Sequence, residues 1–113
     1  MKDISNPDQR WNTRKPLRLE VSIALGNHQA LHLTTQNVSM GGMFLEPSTE
    51  KLGEGNTLTI AFSLKTRQGV SRHRLPVRVA RESPQGTALV FDDYDMETVH
   101  MLREVLYDGA LEY

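Results

Sequence analysis

Cysteine is absent from the 113 residues. That excludes disulfides, thiolate metal sites and cysteine nucleophiles together, and it is compatible with a reducing compartment. Long apolar runs are absent too: none approaches the roughly 20 residues that span a bilayer. The opening stretch, Met1–Gln9, is polar and has no apolar run of the signal-peptide type. A soluble, cytoplasmic protein with no membrane insertion is expected. Aromatic residues make up only 6% and the net charge is −1, so the chain lacks both the stacking surface and the strong positive field of nucleic-acid binders. No DNA or RNA partner is expected. The histidines, His28, His32, His73 and His100, are scattered and find no third ligand at metal spacing. Asp92 and Asp93 are the nearest approach to paired carboxylates, but they precede a helical stretch where acids favour the helix dipole. Ser39 has no neighbouring base that would make it a nucleophile. The chain is therefore expected to be no enzyme, with no catalytic residue, metal or cofactor.

What is present is one domain's length of ordinary globular composition, with 38% apolar and 24% charged residues. The charges are unevenly spread. Arg10, Arg14, Lys15 and Arg18 form one acid-free basic cluster, and Lys65, Arg67, Arg72, Arg74, Arg78 and Arg81 form another. Acids collect at Glu46–Glu54 and at Asp92–Glu104. Concentrated cations in a nearly neutral chain fit either a local anion site or a solvated charged face.

Residues 1–13 are polar and read as a flexible arm. Leu17, Leu19, Val21, Ile23 and Leu25 then alternate with Arg18, Glu20, Ser22 and Ala24, the period of a half-buried strand. Gly26-Asn27 reads as a hairpin turn, followed by a strand from Gln29 to about Gln36. Short strands follow at Met43–Leu45, Leu58–Leu64, Leu75–Val79 and Ala88–Phe91, separated by Gly- and Pro-containing turns. Arg72, Arg74 and Arg78 fall opposite Leu75, Val77 and Val79, on a surface or on a second wall of a ligand site. Met40 and Met43 read as core filling. Short strands at this spacing predict a sandwich or a barrel. The last element differs: Met96, Val99, Leu102, Val105 and Leu106 form a helical stripe, with Asp93 or Asp95 as N-cap and Gly109 as stop.

Two motifs offer ligand chemistry. Arg10, Arg14 and Arg18 recur four apart, ahead of and at the start of the first strand. A guanidinium fork makes paired hydrogen bonds to phosphate or to the O6/N7 edge of guanine. Asn37-Val38-Ser39-Met40-Gly41-Gly42 lies at the next strand break. In extended chain Asn37 and Ser39 would point the same way and complement a base edge, while Gly42 permits a sharp turn or close approach. A turn with its usual Asn, Ser and Gly is the plainer reading.

Taken together, Arg14-Lys-Pro-Leu-Arg18, the alternating strand and Asn37-Val-Ser39-Met-Gly-Gly42 resemble the PilZ domain family, whose signatures are RxxxR and [D/N]xSxxG separated by one hairpin. Leu75–Arg81 and Gly86–Phe91 resemble its late strands, and Met96–Leu106 its closing helix, so the likeness runs over roughly residues 10 to 107. The resemblance implies an all-β fold, a six-stranded antiparallel barrel over residues 14–109 with one C-terminal helix at about 95–107. It also implies a receptor for cyclic di-GMP, a bacterial second messenger, that signals to an effector protein. Arg14 and Arg18 would grip phosphates and guanine Hoogsteen edges, Asn37 and Ser39 would meet a guanine, and Gly42 would shape the turn beneath it. Arg10, Gly41 and Arg78 are further candidate contacts. Arg10 offers a second register for RxxxR; Arg14/Arg18 is the one that leads into the strand. A barrel of this type that binds proteins and no nucleotide is the alternative. Beyond Met1, residues 1–16 carry almost no apolar side chain except Ile4 and Trp11, so the arm is expected to be held against nothing until ligand binds.

Overall fold

A computed structural model describes residues 13–25, 29–93 and 95–107. Among the described residues, six strands, β1 (Glu20–Ala24), β2 (Ala30–Val38), β3 (Gly42–Leu45), β4 (Thr57–Thr66), β5 (Gly69–Ser83) and β6 (Gly86–Phe91), precede one helix, α1 (Met96–Tyr107). The strands close into an antiparallel barrel in the order β1-β2-β3-β6-β5-β4. Closure removes the open edges on which other chains could pair.

The alternating residues fill the barrel. Val21 and Ile23 of β1, Ile60, Phe62 and Leu64 of β4, Leu75, Val77 and Val79 of β5, and Leu89 and Phe91 of β6 are all buried. Met40 and Met43 are fully enclosed among them, as core fillers. Arg72, Arg74 and Arg78 stay exposed on the opposite face of β5. Pro76 interrupts no ladder. Its carbonyl accepts from Asp92 N, just beyond the last residue of β6, so its missing N–H faces the point where that strand has ended.

The first strand is shorter than the alternation predicts. The Thr35 hydroxyl of β2 donates to Leu17 O and accepts from Leu19 N, and Thr35 N donates to Leu19 O. One side chain thus takes the place of a ladder, and regular pairing begins only at Glu20↔Thr34. Leu17 and Leu19 still pack against the core. The Gly26-Asn27 turn and the Gly109 stop lie outside the described residues.

Asp95 is the N-cap of α1: its Oδ1 accepts Thr98 N at 2.8 Å. This hydrogen bond holds the Asp95 carboxyl below the usual carboxylate range. Leu102, Val105 and Leu106 are buried against the barrel, whereas Met96 is 79% exposed and leaves the expected stripe. Thr98 takes the inward position instead, with its hydroxyl 3.0 Å from His73 Nδ1.

Candidate functional site

The two arginine-bearing and glycine-bearing segments, far apart in sequence, meet along β2. Lys15 and Val38 form an isolated antiparallel bridge, with Lys15 N to Val38 O at 2.9 Å and Val38 N to Lys15 O at 3.0 Å. Lys15 Nζ also stands over the Tyr107 ring, 5.5 Å from its centroid. Residues 15–19 are therefore fastened to the barrel, which corrects the expectation that nothing holds the segment up to residue 16. Arg10 and the rest of the expected arm through residue 12 lie outside the described residues.

The bridge places Arg14 beside Asn37, and Arg14 Nη1 donates to Asn37 Oδ1 at 2.9 Å. Asn37 reaches the outer surface because β2 bulges. Register shifts between Thr35 and Asn37, so Thr35 and Val38, three positions apart, both point inward and Asn37 points out. Gln36, the extra residue, donates through Nε2 to Leu45 O and Gln85 O. Strict alternation from Thr35 would have buried Asn37.

Ser39 does not share that surface. It is 2% exposed, and its hydroxyl accepts Gly41 N at 3.1 Å and donates to Gly42 O at 3.4 Å. Ser39 N closes the same turn on Gly42 O. The expectation that Asn37 and Ser39 point the same way fails because β2 ends at Val38 and the chain turns there. Gly41 O is taken by Phe91 N. Gly42 opens β3, and a Cβ built on it would stand 2.0 Å from Leu89 O, so here glycine admits the neighbouring strand.

Arg18 forms a direct ion pair with Glu46, the residue after β3. Nothing in the local pattern pointed to Glu46; the pairing depends on where β3 ends. Arg78 sits on the far side, 3.9 Å from Asp92 Oδ1. Register joins it to the glycine turn through Gly42↔Val90 and Arg78↔Val90. Two strand spacings put its backbone roughly 10 Å from Gly42. A parallel row runs Asn37↔Phe44↔Ala88↔Arg81. Met43, Leu45, Leu89 and Phe91 face inward, so the half-buried Phe44, Ala88 and Val90 form an uncharged outer strip, next to the buried Gly42. Arg14 and Asn37 flank it on one side, Arg78 and Arg81 on the other. Such a strip can carry flat bases while the flanking guanidiniums take phosphates.

A cleft of about 410 Å³ lies elsewhere, lined by Ser22, Ala24, Ala30, Thr59, Ala61 and Arg74 among others; of the described residues of the arginine motif and the glycine turn, none lines it. Among the described residues no helix is long and apolar enough to cross a membrane.

The family model for the PilZ domain matches residues 8–108. Among solved structures, the chain is similar to the PilZ domain of CeSA from a cellulose synthesizing bacterium, at 16% identity and a TM-score of 0.61, over 90% of this chain and 100% of that one. It is also similar to the Bacillus subtilis inhibitor of motility MotI/DgrA, at 15% identity and a TM-score of 0.71, over 85% of this chain and 49% of that longer one. No curated protein matches. With the family model covering nearly the whole chain, and with a closed six-stranded barrel carrying one C-terminal helix, this chain belongs to the PilZ domain family, whose members are generally cyclic di-GMP receptors or adaptors and generally not enzymes.

Proposed function

We propose that this chain is a cytoplasmic receptor for cyclic di-GMP that passes ligand occupancy to a separate effector protein. The observation that carries the reading is the Arg14–Asn37 hydrogen bond, which unites the two family motifs across 23 positions of sequence. The ligand has two phosphates and two guanines, and asks for cations beside polar edge-readers. Arg14 and Arg18 supply the cations, Asn37 an amide, and Phe44, Ala88 and Val90 an uncharged floor. Arg78 and Arg81 offer a second wall. Ser39 contributes by shaping the turn, since its hydroxyl is already engaged.

Because residues 15–19 are fastened to β2, the response to ligand centres on the Arg14 and Arg18 side chains and on the residues before 13. Their rearrangement changes the charge and shape of one surface, which an effector reads through its differential affinity for the two states. Isothermal titration with cyclic di-GMP tests the reading. Saturable binding is expected; silence at high micromolar ligand would leave a PilZ-fold interaction module that binds no nucleotide.

A further inference from the structure

Arg18 already holds an anion. Its partner, Glu46, is set in place by the backbone: Glu46 N donates to Thr34 O at 2.8 Å, and Pro47 restricts the residue before it to extended dihedrals. Arg18 is set in place in the same way, since its neighbours Leu17 and Leu19 both bond to Thr35. Adjacent residues of β2 therefore anchor both sides of the ion pair. An ordinary surface pair is weak partly because two long side chains must be ordered from free chain segments. Here the backbones are fixed beforehand, and the Glu46 side chain is only 37% exposed against 66% for Arg18.

A carboxylate and a phosphate compete for the same guanidinium N–H groups. We infer that Glu46 is an affinity-setting residue of the ligand site, an internal anion that occupies Arg18 and that a ligand phosphate must displace. This rests on the reading that Arg18 binds cyclic di-GMP. Glu46 opposes binding in two ways: it withholds the donors of Arg18, and its charge repels the arriving phosphate. A ligand with two phosphates meets that opposition by engaging Arg14 at the same time.

The test is a four-way titration with cyclic di-GMP on wild type, Glu46→Gln, Arg18→Ala and the double variant. Glu46→Gln should bind roughly three- to tenfold tighter than wild type, with the gain shrinking as salt rises. In the Arg18→Ala background most of that gain should vanish. Equal affinity of wild type and Glu46→Gln, or a gain that persists in full without Arg18, overturns the inference while leaving the receptor reading intact. If neither wild type nor Glu46→Gln binds, the receptor reading falls and the inference with it. A readout without ligand is the Arg18 side-chain NεH resonance, which should move in Glu46→Gln; an unmoved signal also overturns the pairing.

Discussion

Arg14 and Arg18 are exposed and contribute nothing to the core, so their replacement separates binding from folding. A charge-assisted hydrogen bond is worth about 1.5–3 kcal/mol, so either Arg→Ala change should weaken cyclic di-GMP binding roughly 10- to 100-fold by calorimetry with the melting temperature nearly unchanged. Arg10→Ala should cost less; a silent Arg18→Ala beside a damaging Arg10→Ala would move the motif's register. Gly42 behaves in the opposite way. A Cβ there meets the Leu89 carbonyl of β6, so Gly42→Ala should destabilise by about 1–3 kcal/mol, as overpacking does. An unchanged denaturation midpoint would show that β3 and β6 separate at little cost. The arginine spacing and the Asn-Ser-Gly turn were legible as residue types in order. Their partners were not: Glu46 for Arg18 and the spent hydroxyl of Ser39 are through-space facts that no spacing encodes.

At the level of elements, period-two alternation located the strands, and the helical stripe located α1. Alternation failed where a side chain or a bulge replaced the regular ladder, at Thr35 before β1 and at Gln36 within β2. The helix also carries a contact that its apolar stripe hides. His73 of β5 is 6% exposed, with Ser71 Oγ 2.7 Å from Nε2, Thr98 of α1 3.0 Å from Nδ1, and Phe62 of β4 beside the ring. Burial holds the His73 pKa below its ordinary 6.5, and the facing carboxylates Glu97 and Asp95 offset only part of that. A lowered histidine pKa means that the unfolded chain binds the proton more readily than the folded one. Stability is thus full above about pH 6.5 and is lost as pH falls through the folded-state pKa. The melting temperature should fall on going from about pH 7.5 to 5.5, and His73→Gln should flatten that slope. The Asp95 cap titrates in a separate, more acidic window, because its pKa is lowered from 3.8. An equally steep slope in His73→Gln would place the sensitivity elsewhere.

Over the whole molecule, the barrel's seams are unequal. β4 and β5 stay paired from Thr57↔Arg78 to Thr66↔Gly69, whereas β1 meets β4 only through Ser22↔Ala61 and Ile23↔Ile60. Local opening favours elements with few shared hydrogen bonds. Native-state hydrogen exchange should therefore find the amides of the β1–β4 seam exchanging well before those at the middle of the β4–β5 hairpin. Equal protection would mean that barrel closure is as cooperative as the hairpin itself, with the shared core around Ile23 and Ile60 making up for the short ladder.

The order of side chains by itself determined where the chain alternates, where it turns, which residues fill the core and where the helix lies, because each of these follows from local periodicity and the burial of apolar area. It also carried the family signature. Strand order around the barrel, the short β1–β4 seam and the company each arginine keeps were decided only by the tertiary structure. A one-residue bulge turned Asn37 outward to Arg14, and a single bridge at Lys15↔Val38 brought them within hydrogen-bond reach. The end of β3 set Glu46 against Arg18. Electrostatic and hydrogen-bond energies depend on distance and direction in space, and those are fixed only when segments remote in sequence are packed together.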